Sequence, residues 1–166
     1  MTRFLSCTLA ALFALAPMLP ARAHGDAAHG GAPRAFDPAR VEATPFGQEG
    51  DPKKVTRTVQ VRMGDDMRFV PGTLTVRRGE TVRLRVANRG QVMHELVIGT
   101  PRELAEHAEQ MRKFPGMEHD APHMAHVKPG ATGEIIWQFT QAGEFQFACL
   151  IPGHFEAGMV GKVVVR

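Results

Sequence analysis

Apolar and polar residues alternate in several short stretches of this 166-residue chain. Over residues 81–86, valine or leucine occupies every second position and arginine the positions between them. The same period recurs over 135–139 and 145–149, and residues 162–166 form a final valine-rich stretch. A period of two is typical of a strand with one buried face. About eight such strands, separated by Gly and Pro turn signals, predict an antiparallel β-sandwich with Greek-key connections.

One segment follows a helical period instead. Thr100 precedes Pro101, and Glu103 stands three residues after the threonine, which is the pattern of a capping box with proline at the first helical position. Apolar residues at 104, 108 and 111 then share one helix face. The sequence predicts one helix over residues 101–113, ended by the Pro-Gly pair at 115–116.

The first 23 residues have the features of a signal peptide. Arg3 is followed by an apolar stretch over residues 4–19 and by the A-x-A motif at 21–23. Prolines interrupt the apolar stretch, and it is too short for a membrane span. We expect cleavage after Ala23, export to the periplasm, and no membrane span in the mature chain.

The remaining chain divides into two parts. Residues 24–54 are rich in Gly, Ala, Pro and Asp and lack periodicity, so a flexible, His-containing tail is expected there. Residues 55–166 form the predicted folded domain. Removal of Arg3 and Arg22 with the signal lowers the formal charge from +3 to +1. A nearly neutral protein gives no reason to expect nucleic-acid binding, and we expect a monomer.

The most distinctive motif lies near the end of the chain. Cys149, the single thiol left after signal removal, is followed by His154 and Met159 with the spacing C-x4-H-x4-M. His94 is the upstream candidate for a second imidazole. One Cys, two His and a weak axial Met form the trigonal site of one-electron copper proteins. The alternatives are an inert buried Cys, a structural zinc site, which prefers several Cys or His without Met, and a Cys–His nucleophile pair.

This ligand pattern resembles that of the cupredoxins, the small type 1 copper proteins, and its spacings are similar to those of azurin and pseudoazurin. The resemblance implies a cupredoxin-like sandwich and equatorial copper ligation by His94, Cys149 and His154, with Met159 axial. Many cupredoxins have Asn directly after the upstream His ligand, where its side chain ties the ligand loops together. Here that residue is Glu95, a change that bears on loop rigidity, reduction potential and colour. Asn88 is a candidate for a hydrogen bond near the site or for a simple turn.

Two further groups of residues could bind copper. A Met- and His-rich loop, expected over residues 114–128 before the last three strands, holds Met117, His119, His123, Met124 and His126. Thioethers bind Cu(I) and imidazoles bind both oxidation states, so a second, more exposed copper site is one hypothesis and a polar surface loop is the other. Signal cleavage would also place His24 at the N-terminus, close to His29, where the pair could chelate Cu(II).

These features favour a periplasmic copper protein that acts in copper homeostasis or tolerance and has one-electron redox capacity. The extra Met and His residues favour copper handling, and the sequence resembles small periplasmic cupredoxins associated with copper tolerance. The alternative is a shuttle between respiratory redox partners. The partner would be a redox protein or a copper-handling protein. An enzyme such as a nitrite reductase or multicopper oxidase would need a second domain and further His pairs, so no enzymatic role is expected beyond a weak oxidation of Cu(I).

Overall fold

The computed structural model describes residues 35–117 and 119–166, all within one compact unit that spans Ala32–Arg166. Two short 3-10 helices (Pro38–Arg40 and Pro52–Lys54) and one α-helix, α1 (Pro101–Lys113), accompany the strands. In chain order the strands are β1 (Ala43–Thr44), β2 (Gly47–Glu49), β3 (Arg57–Gly64), β4 (Arg68–Val70), β5 (Thr73–Val76), β6 (Thr81–Asn88), β7 (His94–Gly99), β8 (Met124–Val127), β9 (Thr132–Gln138), β10 (Gly143–Ala148) and β11 (Val160–Val165).

The described strands form two sheets that enclose an apolar core. One has the order β1-β2-β9-β6-β3-β4 and the other the order β5-β11-β10-β7-β8. The predicted Greek-key sandwich is confirmed, but its strands are not all antiparallel: β3 pairs in parallel with β6, and β5 with β11. Alternation along a strand reveals which face is buried and not which neighbour the strand pairs with, so the sequence could not show these parallel pairs.

The predicted helix is confirmed as α1. The Thr100 hydroxyl accepts a hydrogen bond from the Glu103 amide, and the Glu103 carboxylate accepts one from the Thr100 amide, so the capping box forms in both directions. Leu104, Ala108 and Met111 are buried and form a second apolar cluster with residues of β7, β8 and β10. The helix therefore packs on the face of the five-stranded sheet that points away from the main core.

Part of the expected flexible tail is folded, which corrects the prediction for residues 43–54. β2 pairs with β9, and Phe46, between β1 and β2, is only 4% exposed. Its ring stacks on Trp137 at 5.3 Å between centroids, and the Trp137 indole donates a hydrogen bond to the Phe46 carbonyl. Gly47 permits this approach, since it has φ +132° and a Cβ there would lie 2.2 Å from the Gln138 carbonyl oxygen. The predicted signal peptide and residues 24–34 lie outside the described residues.

The Met- and His-rich segment is also shorter than expected. Residues 124–127 form β8, which pairs with β7, so the loop ends near His123 and precedes four strands rather than three. Ala125 and Val127 point into the main core while Met124 packs beneath α1. Apolar side chains on both faces hide the alternation that would have identified a strand. Within the described residues, no helix has the length and apolar character needed to cross a membrane.

Candidate metal centre

Three potential ligands meet at one end of the sandwich. His94 opens β7, Cys149 directly follows β10, and His154 lies in the loop between β10 and β11. Potential ligand atoms of the three side chains lie within 4.8 Å of one another. The Cys149 sulfur is 3.3 Å from Nδ1 of His154, and the two imidazole centroids are 4.8 Å apart. The pairing of β10 with β7 places residues 47 to 51 positions apart in sequence beside each other.

Backbone hydrogen bonds close the loop that carries Cys149, His154 and Met159. The Cys149 amide donates to the Met159 carbonyl at 3.1 Å, and the Met159 amide donates to the His154 carbonyl at 3.0 Å. The side chain of Met159 is fully buried in the main core. Gly153 and Gly158 have φ of +90° and +83°, a conformation that favours glycine, at the two bends of this loop. The loop thus has a fixed shape before any metal binds.

Asp65, in the turn between β3 and β4, orients the His94 ring. Its Oδ1 lies 3.0 Å from Nε2 of His94, and its Oδ2 accepts a hydrogen bond from the Gln91 amide at 2.7 Å. The Gln91 amide and then His94 lower the pKa of Asp65. A carboxylate at Nε2 places the proton there and leaves Nδ1 with its lone pair. Nδ1 of His94 is buried and has no hydrogen-bond partner among the described residues, as a metal ligand would.

Glu95 connects the two stretches of chain that carry the potential ligands. Its amide lies 3.4 Å from the Cys149 sulfur and donates to it, and its buried Oε1 accepts a hydrogen bond from the Leu150 amide at 2.8 Å. Although Glu replaces the Asn found in many cupredoxins, the position still provides a side-chain tie between the loops. The extra methylene brings the second oxygen within 2.9 Å of Nε2 of His126 on β8.

Asn88 supports the segment before His94 from within the protein. It is fully buried, and its amide group donates to the carbonyls of Val92 and Val127 at 2.8 Å each, while its oxygen accepts from the Gly90 amide. The side chain therefore does both things considered for it: it shapes a turn, and it ties that turn to β8 beside the site.

Burial controls the protonation of the potential ligands. It raises the pKa of the Cys149 thiol to about 12, so a metal ion must displace a proton to bind the thiolate. Burial and the neighbouring His94 lower the pKa of His154, so this imidazole is neutral near pH 7 and needs no deprotonation. A soft thiolate, two imidazoles and a buried thioether nearby fit a type 1 copper site better than structural zinc.

Comparison with known proteins agrees with this fit. Residues 55–166 match the model of the copper binding proteins of the plastocyanin/azurin family. The chain therefore belongs to this family, whose cofactor is copper.

Three relatives are each named copper-resistant cuproprotein CopI. The chain is 55% identical to the protein of Rubrivivax gelatinosus, with 94% of this chain and 95% of the relative covered. It is 33% identical to that of Pseudomonas aeruginosa, with 82% and 90% covered. It is 39% identical to that of Vibrio cholerae, with 66% of each chain covered.

Solved structures support the fold. Auracyanin B has a TM-score of 0.60 and 23% identity, with 73% of this chain and 96% of that chain covered. Auracyanin A of Chloroflexus aurantiacus, titled a blue copper protein, has a TM-score of 0.56 and 26% identity, with 66% and 98% covered.

The members of the hypothesised second copper site separate in the structure. His119 and His126 approach each other, with ring centroids 6.0 Å apart. His123 does not join them, because its ring packs edge-on against Phe46 and Trp137 instead. The remaining two are Met124, which is buried beneath α1, and Met117, which is 42% exposed in the loop. His24 and His29 lie outside the described residues.

Two residues near these sites were not predicted. His107 of α1 lies 4.6 Å from His119 between ring centroids. Its position three residues after Leu104 and four before Met111 put it on the apolar face of the helix, which was a usable signal. Asp65 gave no such signal, since the side chain of an Asp in a turn usually forms hydrogen bonds only with the backbone of that turn.

Proposed function

We propose that this protein is a type 1 copper protein that acts in copper tolerance and exchanges single electrons. Copper would be held by Nδ1 of His94, the Cys149 thiolate and Nδ1 of His154, with the Met159 thioether as the weak axial ligand. The observation that carries the proposal is the convergence of the first three side chains, in a cage where His94 has a buried, unpartnered Nδ1.

The protein part of the chemistry is to hold the ligands still. Asp65 fixes the His94 ring, Glu95 ties its strand to the Cys149 loop, and the β10–β11 loop is closed by its own backbone. Copper would supply the capacity to accept and release one electron with little change of ligand geometry. Because His94, Cys149 and Met159 are buried while His154 is partly exposed, electrons would enter and leave beside His154.

A role in copper tolerance is supported by the names of the three relatives, two of which this chain matches over most of its length. The periplasm is the proposed location, on the basis of the signal-like sequence over residues 1–23. A dedicated electron shuttle is the second candidate, favoured by the partial exposure of His154. In either role the protein would bind copper and transfer electrons to a partner protein without acting as an enzyme.

Absorption spectroscopy tests the copper site. The copper-loaded wild type should show a strong visible thiolate-to-copper band, and Cys149→Ser should lack it. A wild-type protein that binds copper without this band would contradict the type 1 assignment.

A deletion strain tests the role in copper tolerance. It should be copper-sensitive and should be rescued by the wild-type gene but not by Cys149→Ser. Normal copper tolerance of the deletion strain, together with slowed electron transfer in lysates, would favour the shuttle.

A further inference from the structure

Three histidines from separate elements converge on the outer face of the five-stranded sheet, away from the type 1 ligands. His107 is on α1, His119 is in the loop after it, and His126 is on β8. The centroid of the His119 ring is 4.6 Å from that of His107 and 6.0 Å from that of His126. We propose that His107, His119 and His126 form a second copper site, which binds Cu(II) and communicates with the type 1 site through Glu95.

The ring separations suit a shared metal ion. With metal–nitrogen bonds of about 2.0–2.1 Å, imidazole centroids lie about 3 Å from the ion and therefore about 4.5–6.5 Å apart, according to the angle between the bonds. Both measured separations fall in this interval. A shared ion would require each of the three rings to direct one nitrogen towards a common point.

The ring nitrogens of His119 are suited to bind a ligand. Both of its ring nitrogens are shielded from solvent, and neither has a hydrogen-bond partner among the described residues. A shielded polar atom without a partner costs free energy, and native proteins seldom leave two on one ring. A metal ion bound between His107 and His126 would satisfy one of them.

Glu95 provides the carboxylate that commonly stands behind a metal-bound histidine. Its Oε2 lies 2.9 Å from Nε2 of His126, and the two residues are direct partners across β7 and β8. The contact lacks hydrogen-bond geometry, and a slight turn of the ring would let the carboxylate accept from Nε2 and so make Nδ1 a better donor to a metal ion. The Glu95 side chain is only 2% exposed, so a nearby cation would also offset the cost of burying its charge.

The donor set selects the ion. Three imidazole nitrogens without thiolate or thioether suit a divalent ion of intermediate softness, and Cu²⁺ binds nitrogen sites more tightly than the other divalent ions of its row. This set differs from the sequence hypothesis, because Met117, His123 and Met124 are absent from it and His107 is present.

Glu95 also touches the first site. Its amide donates to the Cys149 sulfur, and its Oε1 accepts from the Leu150 amide. An ion on His126 would draw charge from the Glu95 carboxylate and so alter the environment of Cys149. The proposal of a second site is independent of the proposed type 1 function, whereas the proposed communication between the two sites depends on it.

Cu(II) titration of full-length Cys149→Ser protein tests the second site without interference from the thiolate. Electron paramagnetic resonance should show Cu(II) with nitrogen ligands, and adding His107→Ala with His119→Ala should lower the bound copper by one ion per chain. The difference between the two proteins excludes any copper held by the N-terminal histidines. Unchanged stoichiometry would overturn the proposal.

A matched control keeps the result specific. His123→Phe preserves an aromatic ring against Phe46 and Trp137, and it should leave the stoichiometry unchanged. Loss of the ion in His123→Phe but not in His107→Ala would overturn the assignment in favour of the sequence-based set. Thermal unfolding of each variant establishes that it is folded. If the double variant unfolds, His119→Gln alone should weaken Cu(II) binding at least tenfold, and unaltered affinity would count against the site.

Communication is tested in wild type loaded with only one copper per chain, so that the second site stays open to Zn(II), which is redox-silent and takes the same ligands. Zn(II) should shift the thiolate-to-copper band, and the shift should vanish in His107→Ala with His119→Ala. Glu95→Gln, which keeps an acceptor for the Leu150 amide, should weaken Zn(II) binding about 10–100-fold. A wild type without the band would refute the type 1 assignment. A band that Zn(II) leaves unchanged, although Zn(II) binds, would refute only the communication.

Discussion

Asp65 and His94 form a carboxylate–histidine pair in which the carboxylate approaches Nε2 at 3.0 Å and the opposite ring nitrogen is buried without a hydrogen-bond partner among the described residues. The Asp is 39% exposed while the imidazole is fully buried. An outer residue in a turn between two strands of one sheet therefore orients a ligand that opens a strand of the other sheet.

Replacing Asp65 by Asn should weaken copper binding by about 10–100-fold, because the ring loses its charged orienting partner. The visible band should persist, since all four proposed ligands remain. Competition with a copper chelator measures the affinity. Asp66→Asn, one residue further along the same turn, is the matched control and should behave as the wild type; equal losses in both variants would show that the turn, not the Asp65–His94 pair, matters.

Loss of the Asn88 amide should destabilise the protein. In Asn88→Ala the carbonyls of Val92 and Val127 lose their buried donor, at a cost of about 2–4 kcal/mol in the free energy of unfolding. Urea denaturation of the metal-free protein measures this cost. Gln91→Ala, in the exposed part of the same segment, should change it by less than about 0.5 kcal/mol. An Asn88→Ala variant with an unchanged free energy of unfolding would mean that other donors replace the lost ones.

Truncation of Phe46 should be as costly as truncation of a central core residue. Phe46→Ala should lower the free energy of unfolding by about 3–5 kcal/mol, because the side chain is 4% exposed and stacks on the only Trp of the chain. The fluorescence of Trp137 reports the unfolding directly. Phe114→Ala, at a side chain 57% exposed, is the control and should be nearly neutral. A small effect of Phe46→Ala would imply that residues 43–50 detach easily from the sheet.

The thiol of Cys149 should be unreactive in metal-free protein. With a pKa of about 12 against a reference of 9.0, its thiolate fraction at pH 8 is roughly a thousandfold below that of an ordinary cysteine. Alkylation by iodoacetamide should therefore be slow, should accelerate as the pH rises, and should become fast in urea. Rapid alkylation of the folded protein at pH 8 would contradict the raised pKa.

The same pKa shift fixes the direction of a pH effect on stability. The folded state holds the Cys149 proton more tightly than the unfolded state does, so this contribution is complete below pH 9 and is lost as the pH rises from 9 to about 12. Urea midpoints of metal-free protein should fall over this range, and the fall should be smaller in Cys149→Ser. An equal fall in both proteins would assign the effect to other groups.

The parts of the molecule that sequence could predict are those with a short-range signal. The spacing of Cys149, His154 and Met159 follows from one tight loop, and the capping box at Thr100 marks where α1 begins. The burial of Phe46 depends on a partner 91 positions away, and the two parallel pairs join residues 25 and 89 positions apart, so no local pattern contains these contacts. Asp65 escaped prediction for the same reason, because its partner His94 lies 29 positions away. His107 was also not predicted, although its spacing from Leu104 and Met111 on the helix was a local signal that could have identified it.

The edges of the two sheets have one further consequence. Among the described strands, those at the edges are β1, β4, β5 and β8, and none is longer than four residues. A short edge strand offers few unpaired backbone groups to a second copy of the chain. Edge-to-edge strand pairing, the first step towards fibrils, is therefore disfavoured. The segment around Phe46 contributes directly, since it covers the seven-residue strand β9 that would otherwise be an open border for aggregation.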